Sequence, residues 1–125
     1  MSYHKTPVEV YPGGRKISLT AAANLTAGQV IAVDNTGKAA VAGAGDIPIG
    51  VVVADASQNA KATILVEGVV RVTAGAAVTS GTTVKAANGG KVVAVDWAND
   101  DPDLAFGVAL TSASDDGDVI LVLIK

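Results

Sequence analysis

The chain has 125 residues and a net charge of −3; half of it is hydrophobic, 3% is aromatic, 17% is charged, and it has no cysteine. This composition excludes intrinsic disorder, which needs low hydrophobicity and high charge, and it excludes disulfide scaffolds, thiolate metal sites and cysteine nucleophiles. With no basic surplus, nucleic acid is not expected as a partner, and with no apolar run near the ~18 residues of a spanning helix, neither is a membrane.

Residues 1–16 read as an extended arm. Pro7 and Pro12 favour extended backbone, and Gly13-Gly14 makes a joint before the first regular element. The arm carries the single histidine, His4, two of the four aromatic rings, Tyr3 and Tyr11, and the bases Lys5, Arg15 and Lys16 against Glu9 alone. Two readings stand: a frayed terminus, or a segment anchored on another surface by tyrosines that bury a ring and keep a hydrogen bond. The first residues have no apolar stretch of signal-peptide type, so synthesis in the cytoplasm is expected.

Residues 17–125 read as a single all-β domain, a small barrel or sandwich of about nine or ten short strands. Ile17–Thr20 alternates with period two. Gln29–Asp34 is a Val/Ile-rich strand closed by the turn Asp34-Asn35-Thr36-Gly37, and a second strand runs over 38–42. Strands Gly50–Asp55 and Ala62–Glu67 flank the turn Ser57-Gln58-Asn59, and Gly68–Thr73 alternates again. Thr82–Ala87 and Lys91–Asp96 flank Asn88-Gly89, a strong hairpin signal. A polar loop over 97–103 precedes strands Leu104–Thr111 and Asp118–Lys125. No window carries apolar residues at helical spacing over ten or more positions.

The strands also echo one another. Ile49–Ala54 aligns with Phe106–Thr111, and at the same offset of 57 Ala62–Val66 aligns with Val119–Leu123; at an offset of 53, Asn35, Gly37 and Lys38 meet Asn88, Gly90 and Lys91. Two related four-strand units are expected, over 25–67 and 78–124, with 68–77 between them.

Chemistry is sparse. A Ser–His–Asp site needs a rigidly held histidine, and His4 sits on the arm. Ser57 and Lys61 flank a surface turn, where nothing desolvates the lysine. No phosphate-loop motif occurs. Asp96, Asp100, Asp101 and Asp103 cluster in one region and Asp115, Asp116 and Asp118 in another, but their spacing matches no EF-hand, and Asp is a favoured turn residue in its own right. No enzyme, cofactor or metal is expected. Trp97, the only tryptophan, reads as either a core lid or a contact residue. An assembly part with hidden surface fits these features better than a reaction vessel.

Four stretches then point to a family. Ile49-Gly50-Val51, Val66-Glu67-Gly68-Val69, Thr79-Ser80-Gly81 and Phe106-Gly107-Val108-Ala109 resemble the small capsid decoration (cement) proteins of tailed bacteriophages. The likeness covers about residues 17–124; it departs at Val52, where alanine is usual, and at Thr82-Thr83-Val84, where an aromatic is common. The resemblance implies a structural virion protein on the capsid exterior, a homotrimer that binds the major capsid protein and bridges capsomers. It implies a capsid-binding arm, for which Tyr3, His4, Lys5, Tyr11, Arg15 and Lys16 are the candidates, with Trp97 as a further interface residue. A carbohydrate-binding or fibre-associated virion module is the alternative.

Overall fold

Short runs of Val, Ile and Ala, each closed by a residue that tolerates a tight turn, leave the backbone no length for helices. The computed structural model describes residues 14–124. Within them lie nine strands: β1 (Arg15–Thr20), β2 (Val30–Val33), β3 (Ala39–Val41), β4 (Gly50–Val52), β5 (Lys61–Thr73), β6 (Thr83–Ala87), β7 (Lys91–Ala94), β8 (Gly107–Ala109) and β9 (Val119–Ile124). The strands pair antiparallel in one sheet of order β3-β2-β4-β5-β9-β8-β6-β7, with β1 added on β5. The all-β expectation holds, in a sandwich-like form. The sheet is not closed into a barrel: isolated parallel bridges, Ala21 to Ala39 and Ala74 to Val92, tie its edges.

The pivot is β5. Its first part pairs with β1 and β4, its last part with β9. The two strands expected at Ala62–Glu67 and Gly68–Thr73 are therefore one, because Gly68 does not break the strand. Its φ of 143° lets the backbone change direction between the two pairings. At the chain's start, the strand begins two residues before the expected Ile17: Arg15 and Lys16 pair with Glu67 and Leu65 across an irregular register.

The pairing of the first half recurs in the second. Ile31 lies opposite Val41 and Val33 opposite Ala39; Val84 lies opposite Ala94 and Ala86 opposite Val92. Val30 opposite Val51 has its counterpart in Thr83 opposite Val108. The recurrence also takes in β1, since Lys16 faces Leu65 as Val69 faces Leu123. The recurrence of pairing thus reaches back to Arg15 and to Gly68, further than the 25–67 and 78–124 expected for the two units.

Val51 pairs with Leu65, and Val108 with Leu123. The counterpart of Leu65 is thus Leu123, an offset of 58 and not the 57 expected for the last strand. Ala60 N–H donates to Ser57 O, and Asp118 N–H to Asp115 O, so the extra residue sits just before the second turn. A shift of one residue reverses the faces of a strand, and only the longer offset matches buried Ile64 with buried Val122.

Each half has a core at matching positions: Ile31, Val52 and Ile64 in the first, Val84, Ala109 and Val122 in the second. The second core is continuous with Val30, Val51 and Leu65, on the opposite face of the first half's sheet. One half thereby lies against the other.

Candidate functional site

Among the described residues the polar side chains serve the fold. Asp96 accepts from Ala98 N–H at 3.1 Å and from Asn99 Nδ2 at 2.7 Å, and Asp101 accepts from Asp103 N–H at 2.9 Å, capping a single 3-10 turn over Pro102–Leu104. Asp118 accepts from the amides of Ser114 and Asp115. These acids stabilise turns by binding local amides, as Asp does in its own right.

Asp100 is the most constrained of them. One oxygen accepts from Lys85 Nζ at 2.6 Å and from Asp96 N–H at 2.8 Å. The Lys85 bond, then the Asp96 amide, hold its carboxyl below the ordinary value of 3.8. In the first half Asp34 plays a similar part: its Oδ1 accepts from the Thr36 hydroxyl and from the Thr36 and Lys38 amides, and these bonds, the hydroxyl first, lower its pKa too. Lys91 meets Asp116 at 2.8 Å on an exposed surface.

Among the described residues the fold also leaves six large apolar side chains exposed, Ile17, Val33, Ile47, Trp97, Leu110 and Val119. Trp97 is 60% exposed, so of its two readings the core lid is ruled out. Thr83, Trp97, Phe106 and Val108 line a hollow of about 290 Å³ on the second half. On the first half Ile17 and Val33 stand 41% and 46% exposed. Sequence reasoning did not single out these two residues, because a Val/Ile-rich strand does not say which of its side chains the rest of the fold leaves uncovered. Of the arm candidates, Arg15 and Lys16 are exposed in β1, preceding Ile17 in the strand. Tyr3, His4, Lys5 and Tyr11 lie outside the described residues.

The four stretches that carry the family resemblance are places of backbone constraint. A Cβ on Gly50 would run into Leu65 O, and one on Gly107 into Leu123 O. Gly68 and Gly81 have positive φ. Those signatures therefore specify the fold, and the exposed apolar patches are a separate property of this chain.

Comparison with known proteins agrees. The family model for phage cement proteins matches residues 8–124. No curated protein matches the chain at a significant level. Among solved structures, the head fiber gp8.5 N base of bacteriophage phi29 is similar with a TM-score of 0.69 at 21% identity, over 90% of this chain and 95% of that one. At that identity the likeness is one of fold.

Proposed function

The chain belongs to the phage cement protein family, and from that premise we propose that it binds the outside of an icosahedral phage capsid as a homotrimer and stabilises the shell by bridging capsomers. Its partner is the major capsid protein. The observation that carries this reading is the family match over residues 8–124, and the described surface supports it. The carboxylates of Asp34, Asp96, Asp100, Asp101 and Asp118 are taken up by local hydrogen bonds, while large aliphatic and aromatic side chains stand exposed on both halves, Trp97 beside a hollow that it lines with Phe106 and Val108. Patches of this kind mark contact surfaces. Repetition over a shell then makes modest contacts collectively strong.

The arm over residues 1–16 is the proposed capsid-binding element, through Tyr3, His4, Lys5, Tyr11, Arg15 and Lys16. The folded part is proposed to be two copies of one five-strand unit joined between Glu67 and Gly68. The recurrent strand pairing supports this, as does the match of core positions.

A second reading, a fibre-associated virion module, takes its support from the fold shared with a head fiber base. Carbohydrate binding has less, since Trp97 is the one exposed aromatic among the described residues.

Co-sedimentation separates these readings. The protein is expected to sediment as a trimer and to pellet with expanded capsids but not with procapsids. Deleting residues 2–14 is expected to weaken capsid binding and leave the fold intact. A monomer with no affinity for shells would refute the reading, and unchanged binding after the deletion would remove the arm from it.

A further inference from the structure

The two halves pair their strands alike but are not buried alike. On the first half, Val30, Ala32, Val51 and Leu65 are buried beneath the second half. Their counterparts, Thr83, Lys85, Val108 and Leu123, are only half-buried. The opposite holds at the other surface. Val70, Ala86 and Gly90 of the second half are buried, whereas their counterparts Ile17, Val33 and Gly37 are exposed. The contact between the halves thus uses one face of the first and a different end of the second, and among the described residues it leaves one uncovered surface of each kind.

The contact has a defined polar frame. Val30 N–H donates to Gly90 O at 2.9 Å, and Gly90 N–H to Ala42 O at 3.2 Å. Ala44 N–H donates to Asn88 Oδ1 at 3.0 Å. Gly90 is pressed so close that a Cβ there would lie 2.9 Å from Gln29 Cβ. The matching turn of the first half, Asn35-Thr36-Gly37, keeps its outer residues and changes its middle one: Asn35 stands where Asn88 does and Gly37 has a φ of 83° beside 76° for Gly90, whereas Thr36 replaces Gly89, whose φ is 83°. Yet among the described residues nothing lies within 4 Å of a Cβ on Gly37. No described residue meets this turn as Val30 and Ala42 meet Gly90, and Gly37 N–H donates instead to Asp34 O at 3.1 Å, which leaves the Gly37 carbonyl and the Asn35 side chain as the groups that could repeat the contact.

We propose that a second copy of this chain makes it, the outer face of one copy's second half docking on the open end of the next copy's first half and repeating the contact between the halves. In that contact the Asn35–Gly37 turn of one copy reaches Thr83 and Trp97 of its neighbour. Thr83 N–H is placed to donate to Gly37 O, and Trp97 N–H to Asn35 Oδ1, as Val30 and Ala44 donate within the chain. Lys85 enters the interface already paired with Asp100 at 2.6 Å, so burial strands no lone charge. The interface joins unlike surfaces, so copies close into a ring or extend without limit. The homotrimer proposed above is a closed case, its halves alternating around one axis. The inference rests on the self-association in that reading and is independent of capsid binding.

Two full-length variants test it: Ile17→Glu, which blocks the open end, and Val108→Glu, which blocks the outer face. Trp97→Asp replaces the latter if Val108→Glu does not fold by circular dichroism. Each alone is expected to self-associate more weakly by roughly tenfold or more. Mixed in equal amounts, they are expected to form a 1:1 heterodimer, because each retains the surface that the other has lost. The fluorescence of Trp97, the only tryptophan, is expected to shift to the blue on association of the unaltered chain. A mixture that stays monomeric, or either variant keeping the full oligomer, overturns the proposed faces. An unaltered chain that is monomeric at all concentrations overturns self-association itself, and unaltered oligomers that fail to bind capsids leave the faces standing and refute only the capsid reading.

Discussion

Gly50 and Gly107 show how a residue that carries no side chain fixes the fold. Each faces the carbonyl oxygen of the strand beside it, and a Cβ would meet backbone that has no room to move. Gly107→Ala is expected to cost about 2–3 kcal/mol, an overpacking penalty at the upper end because the obstacle is main chain. Gly50→Ala is expected to match it, and urea unfolding midpoints check both. A loss under about 0.5 kcal/mol at either site would refute the close approach. Asp100 makes a different kind of prediction. Its folded pKa lies below 3.8, so its contribution to stability is complete above that value and fades as pH falls through the lowered one. Asp100→Asn is expected to lower the melting temperature at neutral pH and to lose that difference in strong acid. A difference that persists unchanged under both conditions would place the effect elsewhere. Both glycines were legible in the sequence as members of short motifs, but the reason for them was not, since a carbonyl contact from a strand 15 or 16 residues away leaves no trace in local pattern.

Among the elements, β5 decides most. It serves as the last strand of the first half and the first strand of the second, and the change happens at Gly68. With φ at 143° and Leu65 Cδ2 at 3.2 Å from a Cβ there, Gly68→Ala is expected to destabilise by at least about 1 kcal/mol. Gly45 has a positive φ of 86° but no described residue within 4 Å of a Cβ there, so Gly45→Ala serves as the comparison: it carries the backbone term alone and is expected to cost less. Equal losses at both sites in denaturant titrations would deny β5 its special pivot. The existence and type of nearly every strand could be read from period-two alternation and turn residues. Two things could not. Gly68 reads locally as a break between two strands, and nothing in the flanking residues shows that the backbone passes through it. And a strand made only of Val, Ile and Leu, such as Val119–Ile124, aligns almost equally well one residue out of register, so the true offset emerged only from partners and burial. The turn acids were legible as turn formers; the exposed patches were not, because exposure is decided by what another half does or does not cover.

At the scale of the molecule, the joined core sets how the chain unfolds. Leu65 belongs to the first half, is fully buried, and packs in the same cluster as Ile120, Val122 and Ile124 of the second. Opening either half therefore exposes apolar surface of the other, and the halves are expected to melt together. Leu65→Ala is expected to cost about 2–5 kcal/mol, the range for a buried leucine, while leaving one calorimetric transition. Were the halves independent, the variant would instead split the trace into an early first-half transition and an unshifted second one, and that result would refute the joined core. Self-association is separable in the same experiment. A head-to-tail oligomer stabilises the folded chain by mass action, so its melting temperature rises with protein concentration. Ile17→Glu leaves the core between the halves untouched and is expected to abolish that dependence with the single transition retained. Leu65→Ala is expected to do the reverse, lowering the melting temperature at every concentration and keeping its upward slope. The same contact, used once within the chain and once between chains, then answers to two different mutations.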